Sequence, residues 1–189
     1  MIKNLDLSYS YSDDLKMIPN NVLDMSSFIE RELAEITQIQ EKDYVQSCQR
    51  LGVVGNYLKM LGRLSEAHKI FEHIDDVIKI HNLDFKNHLV NQLRWADVKC
   101  YDCEFTSARS MFEESLILIN SNPSLSGYKD FALQHFGKLF FDIKEYQNAL
   151  NFFNEAMELR KLKKNEELIQ STEFAIKITL NKIVSEQKI

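Results

Sequence analysis

Apolar positions recur at helical spacing along most of this chain, and the pattern as a whole recurs at a longer interval. Residues 136–153 read FGKLFFDIKEYQNALNFF. Phe136, Gly137, Tyr146, Ala149 and Phe153 fall where one face of a helix–turn–helix alternates bulky and small side chains. Stepping back 41 residues gives Trp95, Ala96, Phe105, Ala108 and Phe112, and another 41 gives Val54, Gly55, Leu64, Ala67 and Phe71. A constant interval of this length over three copies marks stacked helix pairs. Antiparallel helices approach closely where both carry small side chains. Gly55, Ala96 and Gly137 supply these on the first helix of each pair, and Ala67, Ala108 and Ala149 on the second. Phe71, Phe112 and Phe153 lie one turn beyond each alanine, and the expectation is that they pack against the following pair.

The elements follow from this register. Residues 1–20 are predicted as an extended or partly ordered lead, because Pro19 disfavours a helix at Ile18. Leu5, Leu7 and Tyr9 offer a short strand-like arm, but a frayed tail is the default for a terminus. A helix at about 22–41, opened by a Ser27/Glu30 capping-box spacing, carries the stripe Phe28, Ile29, Leu33, Ile36 and Ile39. Glu30, Arg31, Glu32 and Glu35 are assigned to its solvent side. It is a degenerate half-repeat, with Ser26 on the alanine slot and Glu30 on the phenylalanine slot. Pairs are predicted at about 43–62 with 64–81, 84–102 with 105–121, and 127–143 with 145–163, giving repeats of about 43–83, 84–124 and 125–165. Asp43 and Asp84 are placed as caps and Gly62 as a turn residue. A last helix at about 166–186 closes the repeats over Phe152 and Phe153, within a terminal segment spanning about 166–187.

The repeated slots resemble the tetratricopeptide repeat, with the G/A, A and F positions matched in all three units over roughly residues 43–163. The family's proline is absent, Ile74, Ser115 and Ala156 fill the last small slot, and the long step resembles variants with about one extra turn per helix. The resemblance implies an all-α, right-handed superhelical α-α solenoid. Three helix pairs with capping helices at both ends form a single domain over residues 21–189.

Composition narrows the partner. Net charge is −5 with a pI near 5.6, the wrong sign for nucleic acid or an anionic membrane and favourable to a basic partner. Three cysteines without a disulfide framework, and an N-terminus without a signal-like apolar run, point to the cytoplasm. Cys100 and Cys103 form a CxxC, which as a metal or redox motif lacks a second pair or closely spaced histidines. His68, His73, His81, His88 and His135 make no metalloprotease-type spacing, and no phosphate loop or nucleophile motif stands out. No catalytic residue, metal ligand or cofactor is therefore assigned, and the chain is read as a non-enzyme. The basic run Arg160, Lys161, Lys163 and Lys164 reads as a solvated helix end favoured by the helix dipole, with an acidic or phosphate partner as the alternative.

In the tetratricopeptide family the first helices line a concave face. Here the corresponding stripe carries Asn56, Lys59 and Met60, then Leu93, Asp97 and Tyr101, then Phe131, Gln134, Lys138, Phe141 and Asp142. Gln49, Gly52, Val90 and Cys100 extend it. Aromatics, aliphatics and both charge signs suit a bound peptide or helix, with Tyr101 and Phe141 as the aromatic anchors. The family's carboxylate clamp is not reproduced. Asn56 matches one asparagine, but Gly52 replaces a lysine and Phe131 and His135 stand where basic groups are needed. The expected function is non-catalytic binding of another polypeptide as a scaffold or adaptor. Two alternatives are an immunity-type inhibitor of a basic toxin and a peptide-responsive regulator resembling bacterial quorum-sensing receptors of the same repeat family. A metal-binding or redox role through the CxxC is the alternative of a different class. The protein is expected as a monomer, or as a homodimer through its apolar last helix.

Overall fold

The computed structural model describes residues 5–39 and 43–187. The first four residues of the lead, and residues 40 and 41 at the end of the first predicted helix, lie outside them. The fold is all-α apart from one small hairpin, with helices packed in consecutive pairs. Two compact units are present, Met1–Asp102 and Cys103–Ile189. Among the described residues, no helix is long and apolar enough to cross a membrane.

The N-terminal unit opens with β1 (Tyr9–Tyr11) and β2 (Met17–Pro19), paired antiparallel with Ser10 opposite Ile18. The frayed lead expected from the sequence is thus an ordered hairpin. Its turn is closed by Ser12, whose hydroxyl accepts from the Asp14 and Lys16 amides at 3.3 and 3.2 Å. Four helices follow: α1 (Val22–Ile39), α2 (Tyr44–Met60), α3 (Leu64–Ile80) and α4 (Phe85–Tyr101). Helix α1 starts at Val22, as the expected bounds have it, but the Ser27/Glu30 pair does not cap it. Asn21 is its cap, accepting from the Asp24 amide at 3.0 Å and donating to the Asp24 carboxylate at 2.9 Å. Ser27 lies inside the helix. Asp43 and Asp84 do cap α2 and α4, each accepting an amide three residues on at 2.9 Å. Glu35 is exposed as assigned, whereas Glu32 is largely covered, and both carboxylates take the Arg50 guanidinium of α2 at 2.6 and 2.8 Å, joining α1 to α2 and raising the Arg50 pKa.

The C-terminal unit holds α5 (Phe105–Ser121), a 3-10 helix (Pro123–Tyr128), α6 (Lys129–Asp142), α7 (Tyr146–Lys163) and α8 (Glu166–Glu186). Pro123 follows Asn122, whose side chain accepts from the Ser124 amide at 3.1 Å, so the first turn of the third pair is 3-10.

The repeat register has a physical basis in both units. Ala67, Ala108 and Ala149 are fully buried, as are Phe71, Phe112 and Phe153. The small residue on the first helix, however, does not face the alanine alone. A Cβ placed on Gly55 would lie 2.6 Å from the Phe71 ring, and one on Gly137 would lie 2.6 Å from the Phe153 ring. These two phenylalanines therefore fill notches in their own pairs, a contact the spacing alone did not assign to them. Phe112 does reach forward, stacking on Phe136 at 5.6 Å between ring centroids. Phe152 joins that cluster, 4.7 Å from Phe136 and 5.2 Å from Phe140, so α6 covers it. Helix α8 packs on α7 and buries the smaller Thr172, Ala175 and Thr179, while Leu180 and Val184 stay exposed. Each buried phenylalanine contributes roughly 1.5–3 kcal/mol.

The turns repeat as faithfully. Gly62, Cys103 and Lys144, spaced by 41, all adopt left-handed φ of 71°, 60° and 64°. At Gly62 the Arg63 amide reaches the Leu58 carbonyl at 2.9 Å, and at Lys144 the Glu145 amide reaches the Phe140 carbonyl at 2.9 Å. This six-to-one bond is the Schellman ending. Gly55→Ala and Gly137→Ala are expected to cost about 1–3 kcal/mol each by overpacking. Gly127→Ala, with nothing within 4 Å of the new Cβ, serves as the near-neutral control. Urea denaturation of the three variants checks this, and equal midpoints would contradict the notch.

Candidate binding site

The stripe assigned to partner binding divides into interior and surface. In the N-terminal unit Lys59 is 1 % exposed, Leu93 1 % and Asp97 3 %. Asn56, Met60 and Tyr101 are half-buried. Lys59 of α2 and Asp97 of α4 form a buried ion pair, and the Lys59 ammonium lies 5.0 Å from the centre of the Tyr101 ring. Charge on this stripe therefore fixes α2 against α4. The Tyr101 hydroxyl accepts the Met17 amide of β2 at 2.8 Å, and the Lys16 ammonium sits 4.5 Å from the ring centre. The aromatic anchor expected for a partner is thus engaged by the chain's own hairpin.

The C-terminal unit behaves similarly. Gln134, Lys138 and Phe141 are buried at 2 %, 8 % and 4 %, with Phe131 and Asp142 half-buried. The Gln134 carbonyl accepts from Arg160 and from Thr172, both at 3.1 Å. Arg160, placed by the sequence on a solvated helix end, is only 2 % exposed. It also donates to Asp130 at 3.3 Å, the Leu168 carbonyl at 3.1 Å and Thr172 at 2.6 Å, tying α6, α7 and α8 together. Lys163 adds the Gly127 carbonyl at 2.5 Å and the Asp130 carboxylate. Two of the four basic residues are therefore structural. Phe141, packed edge-on against Tyr146 at 5.3 Å, belongs to the interior, so its substitution reports on folding.

Neither cysteine of the CxxC has the setting of a reactive pair. Cys100 is buried on α4, whereas Cys103 is an exposed turn residue in the left-handed conformation. Burial pushes the Cys48 thiol up to about 11. Among the histidines, His68 accepts the Trp95 indole N–H on Nδ1 at 3.0 Å, so its proton is on Nε2, which reaches the Asp102 carboxylate at 3.1 Å.

One part of the stripe does open to solvent with polar chemistry exposed. The N-terminal halves of α2 and α4 flank a crevice of about 20 Å³ that Ile74 of α3 also lines. Gln49 and Gly52 line one wall, and Asn87, Val90, Asn91 and Arg94 the other. Asn91 is 4 % exposed, and its amide nitrogen donates to the Phe71 carbonyl at 3.1 Å. Its Oδ1 has no hydrogen-bond partner among the described residues. Leaving such an acceptor unmatched costs about 1–3 kcal/mol, so the site favours a group that donates to it. Gly52 lets the Arg94 guanidinium lie across α2, for a Cβ there would meet Nη1 at 2.2 Å. The stripe assignment included Gln49, Gly52 and Val90. It missed Asn91 and Arg94, which share the helix face but not the aligned stripe positions.

Compared with known proteins, the chain matches no family model and no curated protein sequence.

Two outcomes follow. Asp97→Leu leaves the Lys59 ammonium buried without its carboxylate and should destabilise by about 3–5 kcal/mol, while Lys59→Met with Asp97→Leu recovers most of that loss. Equilibrium unfolding of both variants measures it. For the thiols, a maleimide at pH 8 should label Cys103 rapidly. Cys48, protonated until about pH 11, should label only in denaturant. Mass mapping of the adducts decides.

Proposed function

We propose that this chain is a non-catalytic, tetratricopeptide-like module that binds a polypeptide partner, with contact centred on the amide-lined crevice between α2 and α4. The supporting observation is the buried Asn91 Oδ1, without a donor among the described residues, in a crevice that Arg94 also lines. A peptide unit carries one N–H donor and one C=O acceptor. Its N–H satisfies Asn91 while its carbonyl accepts from Arg94, and the Gln49 and Asn87 amides supply either role. The net charge of −5 steers a basic partner toward the protein. It also supports the inhibitor version, in which an acidic chain neutralises a basic toxin or enzyme, over the peptide-responsive regulator. The cytoplasm is the proposed address.

The test is site-specific photo-crosslinking in the native cell. A photoreactive residue at Gln49, exposed at the crevice mouth, should capture a discrete polypeptide that one at Glu72, exposed on α3, does not. Arg94→Glu should reduce capture about 10- to 100-fold, the equivalent of losing a charge-assisted hydrogen bond. Identical captures at both positions, or capture indifferent to Arg94→Glu, would defeat the reading.

A further inference from the structure

The N-terminal hairpin is seated on the stripe that the first helices present. Strand β2 packs on α2. The Met17 amide donates to the Tyr101 hydroxyl of α4 at 2.8 Å, and the Lys16 ammonium lies 4.5 Å from the Tyr101 ring centre. Burial raises the Tyr57 phenol pKa, with a further contribution from the Tyr9 phenol of β1. The hairpin thus meets the C-terminal halves of α2 and α4, while the Asn91 crevice lies at their N-terminal halves. The α2–α4 face therefore carries the hairpin at one end and the crevice at the other, with the buried Lys59–Asp97 pair between them.

We propose that the hairpin, residues 9–19, is a displaceable internal occupant of a groove along α2 and α4, and that a polypeptide partner entering at the Asn91 crevice extends along that groove by replacing the hairpin. This rests on the polypeptide-binding reading above and adds its regulation.

Three features make the hairpin releasable. It has only three residue pairs, and a two-stranded hairpin of that size is marginal without support from outside. Its apolar anchors in the hairpin proper are few, with Leu15 3 % and Met17 9 % exposed and Ile18 turned outward at 49 %. Leu15 also adopts left-handed φ of 57°, a conformation a leucine holds only when its surroundings enforce it. Leaving the groove relieves that strain. The strap's attachment remains in place when it opens, because Asp6 and Asn21 are tied to the Asp24 carboxylate at the start of α1, at 3.1 and 2.9 Å. Release at Met17 thus swings a tethered segment whose local concentration returns it to the groove once the partner leaves.

The test combines amide exchange with crosslinking on the full chain. In the unaltered protein the Met17 amide should exchange at least tenfold faster than those of Leu58 and Leu93, the mark of local opening. Tyr101→Phe removes the acceptor and should speed Met17 about a further tenfold with Leu58 and Leu93 unchanged. Leu15→Asp, which places a charge at the buried anchor, should do the same by a separate route. With the photoreactive residue at Gln49, both variants should raise partner capture at least threefold. Met17 exchanging in step with Leu58 would overturn the proposal, as would equal capture in released and unaltered proteins. No capture at Gln49 in any form would overturn the binding reading itself, leaving the accelerated exchange as evidence of a hairpin with another role.

Discussion

A phenylalanine ring filling the space left by a missing side chain is the contact on which this fold depends. Phe71 over Gly55 and Phe153 over Gly137 set the separation within a helix pair, because the ring occupies the volume a Cβ would take. Once that distance is fixed, the buried alanines beside it have room for no larger group. The turn then joins the two helices in one conformation, since a Schellman ending gives the chain a defined exit direction.

The same geometry explains the polar interior of the first helices. Closely packed helices bring the long side chains of one against those of its neighbours. Lys59 meets Asp97 within the N-terminal unit, and Arg160 meets Asp130, Gln134 and Thr172 within the C-terminal one. Buried charges of this kind add little net stability, but each penalises an arrangement in which its partner is out of reach. Asn91 and Gln134 each have one half of the amide matched and the other without a partner among the described residues, and Asn91 also lines the crevice.

Much of the architecture was legible because it depends on residue volume. Helix bounds, the Asp43 and Asp84 caps and the buried alanines follow from spacing and side-chain size, which sequence displays directly. The direction of the phenylalanines was less accessible, because a ring one turn beyond an alanine can serve either neighbour, and Phe71 and Phe112 differ in this. Exposure along the stripe was hidden for another reason. A lysine reads as surface until its carboxylate partner is known, and Lys59 and Asp97 are 38 residues apart. The hairpin was masked by its short strands and polar alternation, with its order depending on Tyr101, 84 residues from Met17.

The three left-handed turn positions, Gly62, Cys103 and Lys144, carry a consequence for how such a chain can diverge. A residue inserted within α2 would rotate everything beyond it by about 100° and advance it by about 1.5 Å, taking Lys59 out of phase with Asp97. Length is therefore quantised inside the pairs, and only side-chain identity is free to drift there. Cys103 and Lys144 show that the turn position accepts other side chains, since both keep the handedness of Gly62 without being glycine. The segment from Asn122 to Tyr128, where a 3-10 turn already interrupts the helical phase, is the natural place for the chain to gain or lose residues.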